Sequence, residues 1–187
     1  MTASVDLDGL LSRLAAAKVK AGQLPPVMDW HPAKKYRINI RIDREGRWYY
    51  QDSEIRRQSM VRLFASILRH DDDGYALVTP QEKLMIKVDC FPLVANQLEV
   101  DPVSGVLVFG INTGEAVSAG HMHPVAVTER DGEPQPSLLV RDDLRALIHR
   151  NVFYRLVAMA EEEQQGDRQV LFVTSGGCRF ELGRVTL

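Results

Sequence analysis

The stretch IRRQSMVRLFAS at residues 55–66 is echoed by IHRNVFYRLVAM at residues 148–159, with five of twelve positions identical and both arginines in register. Each stretch is followed by polar residues and then by a strand-like run that ends in Val-Thr, at residues 75–79 and 170–174. Because the order of the elements repeats together with the residues, the chain is predicted to contain a duplicated helix-strand-strand unit.

Both stretches carry apolar residues at helical spacing, which indicates two amphipathic helices that pack on a core. The two predicted stripes are Met60, Leu63, Phe64, Ile67 and Leu68 in the first stretch, and Phe153, Leu156, Val157 and Ala160 in the second. Upstream, Ile38, Ile40 and Ile42 alternate with polar residues, and Asp43 to Gly46 supply a turn into a second strand. This pattern predicts a β-hairpin with one buried face.

The rest of the chain is predicted to be rich in strands. A leading helix with Leu10, Leu11 and Leu14 is expected to end at Gly22, and short apolar runs at 84–88, 91–94, 106–111 and 125–127 are typical of strands. Residues 133–136 are interpreted as a loop, and Asp142 or Asp143 is expected to cap the second repeated helix.

The predicted fold class is therefore α+β, with two related halves that arise from an internal duplication. Each half is expected to contain a hairpin, a helix and antiparallel strands. The N-terminal half with its leading helix is assigned to residues 1–95, and the C-terminal half to residues 96–187, packed closely on the first.

Composition is that of an ordinary globular protein. The 187 residues are 45% hydrophobic, and a net charge of −2 with a pI near 6.2 gives no global attraction to nucleic acid or anionic membranes. No apolar run approaches the ~20 residues of a membrane span, and the first residues lack a secretory pattern. We expect a cytoplasmic protein without membrane insertion.

Candidate metal ligands and nucleophiles are sparse in the sequence. His121 and His123 share one face of an extended segment, but a third ligand is not evident. The acidic turn at residues 71–73 lacks the ligand spacing of a calcium loop, and Ser175-Gly176-Gly177-Cys178 is typical of a hairpin turn. Cys90 and Cys178 are interpreted as reduced thiols. No metal site, cofactor or catalytic residue is therefore predicted.

Several of these residues resemble one known family. They are Ile40-Arg41-Ile42-Asp43 with Gly46 and Trp48, then Ile55-Arg56-Arg57, Val61-Arg62-Leu63-Phe64, and Leu77-Val78-Thr79-Pro80-Gln81-Glu82-Lys83. Over nearly its full length the chain resembles the bacterial Domain of Unknown Function 1285 family. The resemblance implies a duplicated α+β core, a C-terminal half with some likeness to pleckstrin-homology folds, and a binding site between the halves. It implies no established activity, and a signalling or regulatory role only by inference from form.

Arg57 lies three residues before Met60, so an early helical turn would point it towards the buried stripe. One interpretation is a structural ion pair or hydrogen-bond network, with Glu82 as a candidate partner. The other is that Arg57 and its echo Arg150 hold an anionic ligand or a partner's carboxylate in a groove between the halves. Arginine suits that role because its planar fork matches a carboxylate or phosphate.

Aromatic residues near these arginines favour a protein partner. Trp48 and Tyr50 share a strand face, and two interpretations stay open: Trp48 is an ordinary core residue, or both residues form an aromatic wall beside Arg56 or Arg62. Tryptophan, tyrosine and arginine are enriched at the energetic centres of interfaces. The same residues could stack on single-stranded nucleic acid, but the overall acidity makes nucleic acid the weaker candidate.

The leading hypothesis is a non-enzymatic binding or regulatory module. Its expected partner is a protein, with a small anionic ligand as the second candidate; the oligomeric state is left open. The predicted binding set is Trp48, Tyr50, Arg56, Arg57, Arg62, Glu82, Lys83, Arg150 and Arg155. The alternatives are an enzyme acting on a nucleotide or phosphate-bearing substrate through Arg57, Glu82, Lys83 and the histidines, and an RNA-binding accessory protein.

Overall fold

The computed structural model describes Gly9 and residues 24–186, with side chains as far as Arg184. The predicted leading helix with Leu10, Leu11 and Leu14 lies outside these residues. The chain forms two compact units, Met1–Asp89 and Cys90–Leu187. The boundary expected after residue 95 would fall inside the strand Leu93–Val100.

The N-terminal unit is built on one six-stranded sheet. Its elements are a short 3-10 helix Val27–Asp29, strands β1 Lys34–Ile42, β2 Trp48–Tyr50 and β3 Ser53–Glu54, helix α1 Gln58–Ser66, and strands β4 Leu68–Asp71, β5 Gly74–Val78 and β6 Glu82–Val88. The strand order is β3-β2-β1-β6-β5-β4. The central pair, β1 and β6, is parallel, whereas the other neighbours pair antiparallel.

One face of this sheet carries the core, as the alternation along β1 predicts. Ile38, Ile40 and Ile42 are buried, and Ile42 pairs with Trp48 across the predicted hairpin, which is confirmed. Helix α1 packs on this face, where the ring centroids of Phe64 and Trp48 are 6.0 Å apart. Burial of these large side chains is the main stabilising term for the unit.

Helix α1 is shorter than the apolar stripe predicts. The helix ends at Ser66, whose hydroxyl donates to the Leu63 carbonyl at 2.7 Å. Ile67 and Leu68 are buried, but Ile67 leaves helical geometry and Leu68 begins β4. The acidic turn at residues 71–74 therefore joins β4 to β5 and does not end the helix.

The opposite face of the sheet is covered in part by the segment before β1. The Trp30 side chain packs against Ala76, Val78 and Met85. Arg69 holds the segment in place, because its Nη1 donates to the Val27 and Trp30 carbonyls at 2.8 Å each. The part of the face around the second half of β1 stays open to solvent.

The C-terminal unit contains a six-stranded and a three-stranded sheet. Its elements are β7 Leu93–Val100, β8 Leu107–Ile111, β9 Ala116–Ser118, β10 Val125–Arg130, β11 Glu133–Arg141, β12 Leu144–Ile148, helix α2 Arg150–Ala158, and β13 Glu161–Gln165, β14 Arg168–Ser175 and β15 Cys178–Thr186. The orders are β10-β11-β12-β7-β8-β9 and β13-β14-β15. Here β12 and β7 form the parallel central pair.

The two six-stranded sheets share one topology, so the prediction of two related α+β halves is confirmed. In each sheet two three-stranded meanders are joined through a parallel pair of the first and the last strand. The repeated helices, however, are not equivalent. Helix α1 lies between the third and fourth strands of its sheet, whereas α2 follows the sixth and leads into the separate three-stranded sheet. The predicted duplication of a helix-strand-strand unit, built on residues 55–66 and 148–159, is therefore wrong, because the two helices have different neighbours in the topology.

The proline-containing segment at residues 133–136 belongs to strand β11, not to a loop. Pro134 and Pro136 pair with Glu129 and Val127 of β10, whereas pairing of β11 with β12 begins only at Ser137. Residues two apart in an antiparallel strand direct their backbone groups to the same edge. The edge of β11 at which the two prolines lack an N–H donor can thus be the edge without a strand partner, and a strand tolerates proline at such an edge.

Helix α2 begins later than the sequence suggests. Asp142 has a φ of 45° in the turn between β11 and β12, and His149 is the N-cap residue, with Nδ1 3.4 Å from the backbone N–H of Asn151. Leu156 and Val152 bury the apolar face of α2. The likeness of the C-terminal half to a pleckstrin-homology fold stays a prediction. No helix in the described part of the chain is long and apolar enough to cross a membrane.

Candidate functional site

Trp48 is a core residue. Its side chain is 1% exposed and packs on Phe64, and its indole Nε1 has no hydrogen-bond partner among the described residues. Tyr50 lies on the same strand face and is half-buried, and its hydroxyl accepts from the Gln51 amide at 3.2 Å. Of the two interpretations, the core residue is therefore the correct one for Trp48, and the aromatic wall is not formed because that strand face points into the N-terminal unit.

The arginines around the start of α1 are exposed. Arg56 contacts Glu54 at 3.4 Å, Arg57 is the extended N-cap residue, and Arg62 lies one turn further along. Among residues 24–186 the Arg57 guanidinium makes no hydrogen bond or ion pair, so the expected contact with Glu82 is not formed. At the second helix, Arg150 and Arg155 are also exposed, but Arg150 Nε donates to the Tyr154 hydroxyl at 2.6 Å.

Lys83 and Glu82 occupy structural positions at the start of β6. Glu82 is buried, and the Lys83 Nζ lies 2.6 Å from Asp71 and 2.7 Å from Asp73. Burial lowers the pKa of Lys83, but the hydrogen bonds to these two carboxylates outweigh it, and the net pKa is raised. Asp73 also pairs with Lys35, and the hydrogen bonds from Lys35 and then Lys83 lower its pKa to about 2.

An open trough lies along β1, on the sheet face opposite the core. Its volume is about 610 Å³, within the range of ligand sites. The residues that line it come from β1, β2, the turn after β2, and β6: Arg37, Ile38, Asn39, Ile40, Arg41, Tyr49, Asp52, Ile86 and Lys87. We call it the β1 trough. No serine, threonine, cysteine or histidine is among its lining residues.

The trough forms where the ladder between β1 and β6 is interrupted. Arg37 pairs with Met85 and Arg41 pairs with Lys87, so three residues of β1 stand opposite Ile86 alone. Such a bulge increases the local twist and re-aims side chains, and bulges are frequent beside binding sites. The bulge keeps Arg37, Asn39 and Arg41 on the open face while Ile38 and Ile40 remain in the core.

Three cations lie in the trough, and one nearby carboxylate serves two of them. Arg41 Nη1 contacts Asp89 at 2.6 Å and its guanidinium lies 4.8 Å from the centre of the Tyr49 ring. Lys87, which is 73% exposed, is 3.8 Å from the same carboxylate. Arg37 makes no hydrogen bond or ion pair with any residue in the described part of the chain. The Arg37 guanidinium is therefore not ion-paired within the described residues, although Asp52 also lines the trough.

The hairpin turn beside the trough is fixed by Asp43. This buried carboxylate accepts from the backbone N–H groups of Glu45 and Arg47 at 3.0 and 2.9 Å, from Arg47 Nε at 2.8 Å, and from the Tyr49 hydroxyl at 3.1 Å. Burial raises the pKa of Asp43, but these hydrogen bonds outweigh it and the pKa is lowered. For Tyr49, burial and then the bond to Asp43 raise the pKa. Tyr49 is thereby held in place at the trough wall.

The histidines and cysteines do not gather into a site. His121 is exposed in the loop before β10, and the Nδ1 of His123 lies 3.1 Å from the Leu139 carbonyl. Within the described ranges, no three His, Cys, Asp or Glu side chains are grouped as metal ligands. The Ser175–Cys178 segment is the β14–β15 hairpin turn, as predicted, and Ser175 is buried in it.

The trough residues were missed because their signal is weak in sequence. In the sequence, Asn39 and Arg41 indicate only the polar side of the first strand. The spacing of the residues gives no sign that the pairing of β1 with β6 shifts by two residues. Tyr49, one position from the predicted Trp48 and Tyr50, faces the other way because strand side chains alternate. The sequence does place three cations on one face of this strand, because Lys35, Arg37 and Arg41 all stand at odd positions.

Comparisons with known proteins agree on one family. The model for the N-terminal domain of the domain of unknown function DUF1285 matches residues 25–90, and that for its C-terminal domain matches residues 91–182. No curated protein matches the chain.

Two solved structures are similar to this one. A DUF1285 family protein from Silicibacter pomeroyi DSS-3 has 39% identity and a TM-score of 0.79, over 90% of this chain and 93% of that one. Another, from Shewanella baltica OS155, has 26% identity and a TM-score of 0.51, over 64% of this chain and 90% of that one. The two domain models together span both compact units, and this chain belongs to the DUF1285 family.

Proposed function

We propose that this chain is a non-enzymatic binding module with a regulatory role, and that its N-terminal unit recognises acidic side chains of a partner protein in the β1 trough. The observation that carries the proposal is the Arg37 guanidinium, which stands with Arg41 and Lys87 along an open trough. A guanidinium that makes no ion pair within the described residues is poised to form a charge-assisted bond with an incoming carboxylate.

The character of the lining supports binding over catalysis. Its side chains are cations, one amide, one tyrosine ring, one carboxylate and isoleucines, with no pair of a nucleophile and a base in contact. The groups named for the enzyme alternative occupy other roles: Lys83 is engaged by Asp71 and Asp73, and Arg57 stands exposed at the start of α1. A protein partner is also consistent with the modest net charge of the whole chain.

The proposal is tested with fluorescent poly-L-glutamate as the probe and anisotropy as the measurement, at low and high salt. We expect Arg37→Ala to weaken binding by about fivefold or more, because a charge-assisted hydrogen bond is lost. Arg62→Ala is the matched control, since it removes the same charge from the exposed face of α1 in the same unit.

The two variants distinguish binding in the β1 trough from binding at the arginines of helix α1 that the sequence predicted. Binding by Arg62→Ala within about twofold of the wild type would support the trough, since distant exposed charges are screened over ~10 Å at 0.1 M salt. Wild-type affinity in Arg37→Ala together with a loss in Arg62→Ala would move the site to helix α1. No binding of the probe to the wild type would overturn the proposal.

A further inference from the structure

The spacing of the cations in the β1 trough defines the kind of acidic segment that fits it. Arg37 and Arg41 are four residues apart on β1, but the residues paired with them, Met85 and Lys87, are only two apart on β6. Two residues of a strand span about 7 Å. The bulge therefore draws the two arginines closer than the ~13 Å that four residues of a regular strand would give.

The backbone separation of about 7 Å that the β6 partners indicate for Arg37 and Arg41 is also the spacing between residues i and i+2 of an extended peptide, whose side chains point to the same face. From this match, and resting on the proposed function, we infer that the trough binds an extended segment with the pattern acid-x-acid. One carboxylate pairs with Arg37 and the next with Arg41, while Lys87, the cross-strand neighbour of Arg41, adds a second cation at that end.

Arg41 can serve a ligand while it holds Asp89. A guanidinium has five N–H donors in a planar fork, and the contact with Asp89 is made through Nη1. The position of the Arg41 fork is set from two sides, by Asp89 and by the Tyr49 ring beneath it. A side chain that is already ordered loses less entropy when the ligand binds.

Carboxylates fit this trough better than phosphate groups. Dense phosphate sites use backbone N–H groups from a glycine-rich loop or a helix N-terminus, and the lining of the trough contains neither. Asp52 in the lining and Asp89 beside it would repel a polyanion such as single-stranded RNA. An alternating peptide places a neutral or basic residue between its acids, which reduces that repulsion.

The test uses four capped nonapeptides of glycine and serine, each with two glutamates, placed one, two, three or four positions apart. Their net charge is equal, so only spacing varies. Binding to the ¹⁵N-labelled full chain is followed by NMR titration, which measures weak affinities and reports location. We expect the peptide with glutamates two apart to bind at least about threefold more tightly than the others, with shifts at the Arg37, Asn39 and Lys87 amides.

Variants distinguish this inference from the proposed function. Arg37→Lys keeps the charge but loses the fork, and we expect it to reduce the spacing preference; Arg37→Ala should abolish it. Equal affinity for all four spacings, with binding still lost in Arg37→Ala, would overturn the acid-x-acid inference and leave the trough as an anion site. Tighter binding of a nine-nucleotide RNA than of any peptide would overturn it in favour of nucleic acid. Binding that Arg37→Ala does not change would overturn both.

Discussion

Arg57 shows how the position of a single residue changes its interpretation. A guanidinium that points to the core must have a buried partner, whereas Arg57 is an exposed N-cap residue without one in the described part of the chain. Its spacing from Met60 holds only if residue 57 is already helical. The backbone at Arg57 is instead extended, with φ −74° and ψ 102°, so the side chain leaves the helix face.

We therefore expect Arg57→Ala to change the free energy of unfolding by no more than about 0.5 kcal/mol, as is usual for exposed positions. A small gain would be natural, because a cation beside a helix N-terminus opposes the helix dipole. Urea unfolding measures the change, and Arg150→Ala should behave alike at α2. A loss of about 3 kcal/mol would instead indicate an orphaned buried partner and restore the structural interpretation.

The turn between β2 and β3 carries local strain. Gln51 and Asp52 have φ values of 46° and 64°, the left-handed region that a tight hairpin requires and that glycine or asparagine adopts most easily. Asp52 also lines the β1 trough, so a substitution at that position would change the site as well as the turn. Gln51 does not line the trough.

Gln51→Gly should therefore stabilise the chain by about 0.5 kcal/mol, because the left-handed penalty that it removes exceeds the entropy that glycine adds to the unfolded chain and the exposed contact with Tyr50 that it loses. Thermal and urea unfolding would show the gain, while the affinity for poly-L-glutamate should not change. Destabilisation by this variant would mean that the Gln51 side chain contributes more than its one hydrogen bond suggests.

At the scale of elements, the β14–β15 hairpin is fastened to the loop after β9. Ser175 Oγ donates to the Ala119 carbonyl at 2.7 Å and accepts from the Leu107 N–H at 2.9 Å. A Cβ on Gly176 would lie 3.0 Å from that same carbonyl oxygen, whereas a Cβ on Gly177 would meet nothing within 4 Å. Both glycines have positive φ, at 55° and 74°.

These two adjacent glycines provide a matched pair of variants. An alanine at either position lowers the free energy of unfolding by about 1 kcal/mol, because its backbone must stay left-handed. Gly176→Ala should lower it by about 1 kcal/mol more than Gly177→Ala, because the new Cβ is also overpacked against the fixed Ala119 carbonyl. Equal losses in urea unfolding would show that the turn moves away from Ala119 without cost.

Elements with a regular alternation were predictable from sequence, and those set by distant partners were not. The Ile38–Ile40–Ile42 alternation and the glycine turn after it identify the first hairpin by local signals alone. The end of α1 depends on Leu68 pairing with Leu77, and strand β11 depends on β10 accepting two prolines. Both are tertiary effects that override local propensity.

The same limit applies to the candidate site. The bulge that forms the β1 trough arises from the pairing of residues separated by about fifty positions, and such a shift leaves no trace in local spacing. The sequence predicted two related α+β halves, but the similar windows at residues 55–66 and 148–159 form helices at different places in the topology. Five identities in a short window could not distinguish equivalent helices from unrelated ones.

For the whole molecule, the charge cluster around Asp73 predicts how stability responds to acid. The pKa of Asp73 is lowered to about 2 in the folded chain, from an ordinary value of 3.8, by its bonds to Lys35 and Lys83. A carboxyl group with a depressed folded pKa stabilises the fold above its unfolded pKa and loses that contribution as pH falls through the folded pKa. The relevant window is therefore about pH 4 to pH 2.

Asp73→Asn should reduce the slope with which the free energy of unfolding falls between about pH 4 and pH 2. Asp72→Asn, at an exposed position of the same turn, is the control and should keep the wild-type slope. Urea unfolding at intervals of half a pH unit provides the curves. Parallel curves for the wild type and Asp73→Asn would mean that solvent screens these ion pairs too strongly to matter.

The parallel central pair in each six-stranded sheet also governs the order of folding during synthesis. Lys34 pairs with Glu82 and Leu93 pairs with Ala146, so each sheet joins strands roughly fifty residues apart through a costly loop closure. The first meander of a sheet can form early, but it cannot join the second until the sixth strand has left the ribosome. Completion of each six-stranded sheet is thus delayed to its last strand, and that non-local step should limit the folding rate.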